Sequence, residues 1–330
     1  TTGNRNTFCG NSAGSGLTEG SDNTFLGFKA GNSTTTADNN TAVGKEALYT
    51  NSTGGSNVAI GREALYANTT AGNNTAVGYQ SLKANTTGSN NTGVGAGVLV
   101  ANTTGDNNTA VGMYALDANT TGASNTVIGQ GSLTVATTAD DNIAVGHQAL
   151  HLTTTGGSNA GVGKQALYAN TTGDSNTAVG YKALYSITTT TDNVAVGTQA
   201  GELATGQLNT YVGYQAGRAS TSGENSTFIG AYCGSGYTVT GHHNTGLGYM
   251  AMHRLTSGAS NTVLGDLAAQ YLNTGDENTI VGRQVANALS SGGENVIIGS
   301  GLGSVGDTLT SGSRNVMMAR NADFGAASRT

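Results

Sequence analysis

Asn74-Thr75-Ala76-Val77-Gly78 is one copy of a phrase that recurs from end to end of the chain. Near-identical copies stand at Asn40–Gly44, Asn108–Gly112 and Asn176–Gly180. A second phrase follows it, as in Lys164-Gln165-Ala166-Leu167-Tyr168, and then a third, as in Ala84-Asn85-Thr86-Thr87-Gly88. The Gly that closes the first phrase falls at 10, 27, 44 and onward to 197 with a constant spacing of 17. It continues at Gly213, Gly230, Gly248, Gly265, Gly282 and Gly299 with steps of 16 to 18. A degraded copy, Asn315-Val316-Met317-Met318-Ala319, ends the series of 19 units. Seventeen residues are too few for a helix pair or a propeller blade, which need about 30 to 45. They suit one coil of a parallel β-solenoid, so the sequence predicts an all-β fold of about 19 such coils.

The residue before the repeat Gly is apolar in every unit: Val43, Ile60, Val77, Val111, Ile128, Val179, Leu264 and Met318, with Cys9 as the odd member. Two residues earlier stands Thr, Val or Ile. This alternation puts the two positions on one face of a strand, with the residue between them, often Ala76 or its equivalents, on the other. The reading places the Val/Thr ladder inside and the small Ala row outside. A second strand is expected at Ala47-Leu48, Ala64-Leu65 and Ala166-Leu167. Two adjacent apolar residues cannot share one side of a flat strand. Either the chain bends there or Ala and Leu serve different surfaces.

Gly stands seven residues before the repeat Gly in 15 of 19 units, which reads as a turn residue chosen for positive φ. Asn opens the pentapeptide in 18 of 19 units, Ser226 being the exception. A stacked Asn can bond its own backbone and its copy in the next coil.

Composition narrows the function. Net charge is −6 and no basic run occurs, which argues against nucleic-acid binding. No apolar run reaches 18 residues, so no membrane span is expected. In a solenoid, added length adds coils rather than domains. Residues 1–319 are therefore read as one array, regular over 1–197 and degenerate over 198–319, with 320–330 as a tail or cap. Strands about 4.8 Å apart would make a rod of roughly 90 Å. Thr1-Thr2-Gly3 is already in repeat register, as if the chain were a processed product or part of something longer. The first coil is then expected to stack on an upstream segment or on another copy.

No residue pattern points to catalysis, to a cofactor or to a metal site. His147 and His151 would lie about 13 Å apart along a strand, at exposed variable positions. His242-His243 lack a carboxylate cluster. Asp22, Asp106, Asp140, Asp141, Asp174, Asp192 and Asp276 recur near turns without the Gly-Gly-x-Gly-x-Asp pattern of calcium-binding solenoids, and read as turn caps. Cys9 and Cys233 read as buried free thiols.

Asn51, Asn68, Asn85, Asn102, Asn119 and Asn170 fit the N-glycosylation acceptor pattern on predicted surface turns, although Asn and Thr are also ordinary turn residues. The paired Thr69-Thr70, Thr86-Thr87 and Thr103-Thr104 run into Gly and so sit at a corner, unlike the flat ranks of ice-binding solenoids. Tyr49, Tyr66, Tyr168 and Tyr185 form a stripe, by surface packing or for a sugar or protein partner. If any segment recognises a ligand, it is 201–250, where the period slips, with Tyr211, Tyr214, Tyr232, Tyr237 and His242 as candidates.

The phrase Asn57-Val58-Ala59-Ile60-Gly61, like Asn193-Val194-Ala195-Val196-Gly197, resembles the head repeat of trimeric autotransporter adhesins, Ser-Val-Ala-Ile-Gly with a following Ala. Similar arrays occur in phage tail-fibre-like proteins. The resemblance covers nearly the whole chain, although the unit here is longer. It implies a left-handed β-roll assembled as a trimer on a cell surface or virion. Two functional readings follow: a structural attachment fibre that binds copies of itself and a host-surface glycan or protein, or a subunit of an end-to-end extracellular filament. An ice-binding or glycan-binding solenoid is a lesser alternative.

Overall fold

The computed structural model of the protein describes residues 2–300 and 309–320, the last two by backbone alone. It is all-β: nineteen short parallel strands, one per coil about every 17 residues, each leading into turns. Among the described residues no helix is long and apolar enough to cross a membrane. The expected tail, 320–330, lies almost entirely outside the described residues.

The chain forms two compact units, Thr1–Lys164 with Asn170–Thr172, and Gln165–Ala169 with Gly173–Thr330. The first holds ten strands, β1 (Thr7–Cys9) to β10 (Ala160–Val162). The second holds nine, β11 (Thr177–Val179) to β19 (Val316–Arg320). Within each unit like stacks on like: Thr75 pairs with Thr92, Ala76 with Gly93 and Val77 with Val94. In the second unit Thr262 pairs with Thr279 and Leu264 with Val281 in the same way. At about 4.8 Å per strand the ten strands of the first unit span about 45 Å.

The strand face is the reverse of the sequence expectation. Ala42, Ala59, Ala76 and Ala110 are fully buried, whereas Ile60, Val94, Val111 and Ile128 on the alternate face are 36 to 43% exposed. The small row lines the lumen and the Val/Ile row faces out. The lumen's size explains this. It already holds the Leu row, Leu48 to Leu167, every member of which is at 0% exposure. Opposite a Leu so thin a coil takes only a small residue, Ala or Gly in most coils and Val127 opposite Leu133.

Ala47-Leu48 and its equivalents form no second strand. The chain bends there, through left-handed residues: Glu46 has φ 57° and Leu48 φ 53°, and Gln80 and Leu82 repeat the pair at 56° and 53°. A Leu in this region costs on the order of 1–2 kcal/mol. Burial of the side chain, about 1.5–3 kcal/mol, offsets that cost. Backbone bonds between coils hold the geometry: Leu48 N–H donates to Ala64 O at 2.9 Å and Glu46 N–H to Phe28 O at 2.9 Å. The left-handed twist turns adjacent Ala and Leu side chains to the same interior.

Lumen volume is conserved by exchange between two positions, the middle of the strand and the fourth residue after the repeat Gly. Six coils pair Ala with Leu, as Ala42 with Leu48, and two more pair Gly with Leu, as Gly93 with Leu99. Phe25 faces Gly31 instead, Tyr211 faces Gly217 and Phe228 faces Gly234. A Cβ added to Gly31 would lie 2.5 Å from the Phe25 ring, one on Gly217 2.2 Å from Tyr211, and one on Gly234 2.8 Å from Phe228. Val263 with Ala269 and Ile280 with Ala286 are intermediate, all four buried. Aromatic residues at the ends of the regular array, and the Gly replacing Leu beside them, are thus one packing event.

Two buried amide ladders run beside the apolar core. Asn74 N–H donates to Asn57 Oδ1 at 3.0 Å, Asn91 N–H to Asn74 Oδ1 at 2.9 Å, and Asn74 Nδ2 to Gly88 O at 2.9 Å. The second ladder joins Asn68 Nδ2 to Asn51 Oδ1 and Asn85 Nδ2 to Asn68 Oδ1, both at 2.9 Å. In the second unit Leu255, Leu272 and Leu289 take the second ladder's place in the core.

The turn glycines differ from expectation too. Gly88 and Gly105 are not at positive φ; that conformation belongs to Asn73, Asn90 and Asn107, at 59 to 61°. Gly is needed at 88 because a Cβ there would lie 2.4 Å from the Gly105 carbonyl oxygen. The repeat Gly is held by both constraints: Gly78 has φ 134° and its Cβ would fall 2.3 Å from Gly95 O.

Candidate functional site

The sixth, seventh and eighth residues after the repeat Gly alternate out, in, out. In the regular array this gives Ala84, buried Asn85 and Thr86. In the second unit the outward residues become varied, Arg254 and Thr256, Tyr271 and Asn273, Ala288 and Ser290, with Arg254 and Tyr271 the large ones. Leu255, Leu272 and Leu289 between them anchor each segment in the core. With Tyr237 from the coil that carries the one-residue insertion, these side chains line a groove of about 670 Å³. That size is in the range of small-ligand sites.

Arg254 dominates the groove's electrostatics. Its guanidinium carbon lies 4.4 Å over the Tyr271 ring and 5.9 Å from the Tyr237 ring. Arg5, Arg62, Arg218, Arg283 and Arg314 each pair with a carboxylate. Among the described arginine side chains Arg254 alone has no such partner. The Asn273 Oδ1 accepts the Thr256 hydroxyl, and Asn287 Oδ1 accepts Gln270 N–H at 3.4 Å. Each amide NH2 is then left without a protein partner among the described residues. The groove therefore offers two aromatic faces, one unpaired cation and a set of amide donors.

The five candidate residues separate. Tyr237 lines this groove and is 47% exposed. Tyr211 is a core residue at 0% exposure, and its hydroxyl has no hydrogen-bond partner among the described residues. Tyr214 and Tyr232 come together edge to face at 5.2 Å, with Tyr249 6.2 Å and His253 6.4 Å from Tyr232, in a second aromatic cluster. His242 is exposed and its Nδ1 accepts Glu224 N–H at 3.1 Å, a turn contact. Arg254, Tyr271, Asn273 and Asn287 were missed. The replacement of Ala by Arg and Tyr at the sixth position was the legible signal.

The acceptor asparagines are not on surface turns. Asn51, Asn68, Asn85, Asn102, Asn119 and Asn170 are all at 0% exposure. Asn68 Nδ2, the atom a glycan would occupy, donates to Asn51 Oδ1 and to Ala71 O, both at 2.9 Å. A sugar there has no room beside the stacked coils. The threonine beside this position is engaged as well: Thr86 Oγ1 donates to Thr103 O at 2.9 Å. Cys9, expected buried, is exposed because it sits on the outward row; Cys233 is buried, and burial pushes its thiol up to about 12.

Other polar groups serve the coils. The Asp106 carboxylate accepts Ser89 N–H at 2.6 Å and Asp276 accepts Ala259 N–H at 2.8 Å, each capping the turn of the preceding coil. Glu63, nearly buried, meets Lys83 at 2.7 Å, Gln80 at 2.9 Å and Arg62 at 2.9 Å. The bond from Lys83, then that from Gln80, holds its pKa down at about 2. The Glu202 carboxylate meets Arg218 at 2.7 Å and Lys182 at 3.7 Å. His147 is exposed, whereas His151 is half-buried and lies 2.9 Å from the Thr134 hydroxyl. Tyr49 and Tyr66 stack at 5.0 Å, as do Tyr168 and Tyr185, and all four are half-buried. Among the described residues no three His, Cys, Asp or Glu side chains gather as a metal site would need. No protein-family model matches the chain, and no curated protein matches it either.

Proposed function

We propose that the chain is a structural module of an extracellular or virion fibre, without chemistry of its own, that associates with copies of itself and serves attachment. One observation carries this reading. The outward strand face presents a regular apolar row: Ile60, Val94, Val111, Ile128 and Val162 in the first unit, and Val179, Val196, Leu247 and Leu264 in the second. Soluble single chains rarely leave so long an apolar strip in water, and a self-complementary strip is covered most simply by a symmetric oligomer. The likeness of the repeats to adhesin head repeats favours three chains and supplies the attachment role. The buried carboxylates Glu63 and Glu202, each engaged by two cations, support a structural use of the chain's acids.

Sedimentation equilibrium of the whole chain, with negative-stain imaging, tests the proposal. Three chains per particle and short fibres of one length are expected. A monomer at tens of micromolar would refute self-association. A second reading is end-to-end filaments, since the stacking of like on like, as Thr75 on Thr92 and Val77 on Val94, can continue from one copy to the next. Indefinitely long threads in the same images would select the filament.

A further inference from the structure

The groove over Arg254 has a composition that its neighbours in the array lack. The equivalent outward positions in the regular coils are mostly Ala and Thr, with Val135 and Leu152 the largest, and none is aromatic or charged. Here two tyrosine rings, an arginine and two asparagine amides converge. None of them is required by the coil, since the buried Leu255, Leu272 and Leu289 already close the core beneath.

We infer that this groove binds an acidic saccharide, a sugar ring carrying a carboxylate. Arg254 is the anchor. Its guanidinium is the one described arginine fork left without a carboxylate, and a planar fork matches a carboxylate bidentately. The Tyr271 ring holds the guanidinium carbon 4.4 Å over its centroid, a cation–π contact that limits the rotamer freedom lost on binding. Tyr237 and Tyr271, both more than 40% exposed, present flat apolar faces to the C–H side of a pyranose ring. The amide donors of Asn273 and Asn287 face the hydroxyls of such a ring. Arg254 is the only charged group among the lining residues, so a ligand with a single negative charge is matched and a polyanion is not. The cavity of about 670 Å³ has room for two or three sugar rings. The inference rests on the attachment reading and names the chemistry of what is attached to.

The test uses the full chain and pure probes, each with a single charge or none: 3′-sialyllactose and galacturonic acid, against lactose and galactose, with a singly sulfated disaccharide as a third arm. Saturation-transfer NMR and calorimetry are expected to show binding of at least one carboxylated probe, at least about tenfold tighter than its neutral counterpart and weaker at high salt. Arg254→Gln is expected to remove that preference and Tyr271→Ala to weaken binding at least about tenfold. Tyr79→Ala, in the other unit, is expected to leave binding unchanged. Arg254 is exposed, and an unchanged β-type circular dichroism spectrum of Arg254→Gln establishes that loss is local. Equal binding of neutral and acidic probes, preference for the sulfated probe, indifference to Arg254→Gln, or no binding of any saccharide would each overturn the inference. Imaging of the assembly is unaffected by these outcomes, so failure of the groove and failure of the fibre reading are told apart.

Discussion

The exchange between Phe25 and Gly31 can be tested by reversing it. Phe25→Ala alone removes a fully buried ring and leaves a cavity, at a cost of about 3–5 kcal/mol. Gly31→Leu alone places a Cβ 2.5 Å from the Phe25 ring, an overpacking worth about 1–3 kcal/mol, with about 1–2 kcal/mol more for a Leu at φ 56°. The double variant recreates Ala42 with Leu48, one coil on, where Leu already sits at φ 53°. It loses only the left-handed cost and the stacking of Phe8 on Phe25 at 5.3 Å, about 0.5–1.5 kcal/mol. The singles therefore sum to about 5–10 kcal/mol and the double to about 1.5–3.5, a favourable coupling of several kcal/mol. Long arrays do not unfold as one cooperative unit. The measurement is accordingly hydrogen exchange at Thr24–Leu26 and the neighbouring coil, alongside guanidinium denaturation. A double variant as unstable as the sum of its parts would refute the reciprocal filling of the lumen.

Three further outcomes are expected. Asn74→Ala strands the Asn91 N–H in the interior, while the Gly88 carbonyl keeps Asn85 Nδ2 at 2.9 Å, and should cost about 1–3 kcal/mol, read as lost exchange protection at Asn91; an effect under about 0.5 kcal/mol would deny the ladder its role. Alkylation of the native protein should spare Cys233 until denaturant is added, since Cys233 is buried with its thiol pushed up to about 12; early labelling of Cys233 would place it outside the core. Glu63 titrates near 4.5 when unfolded and near 2 when folded, so the unfolded state binds more protons in between. Its stabilisation is complete above about pH 4.5 and fades as pH falls toward about 2. Melting curves of wild type and Glu63→Gln should therefore differ at pH 7 and converge near pH 2, and a constant gap across that window would contradict the ion-pair assignment.

Register was legible from residue order alone. A spacing of 17 without slip leaves only one stacking that puts Val77 beside Val94, and the Asn at each pentapeptide start can complete its bonds only through its copy one coil away. Facing was not legible. A three-residue strand such as Thr75-Ala76-Val77 carries acceptable residues on both sides, and its alternation is satisfied by either orientation. The choice falls to lumen volume, a property of Leu48 and Leu65 folding inward through left-handed turns that no strand pattern announces. The same holds for Gly88, whose requirement is the carbonyl of the next coil rather than its own φ. It holds for Asn68, whose surface-turn sequence is buried because the coil closes over it. The groove was half legible: Tyr237 stood in the irregular segment, but Arg254, Tyr271 and Asn273 meet it only because stacking brings positions about 17 residues apart within a few ångströms. Periodicity specifies which residues are neighbours; only the closed coil, with its limited interior, decides which of them point inward and which are left to meet a ligand.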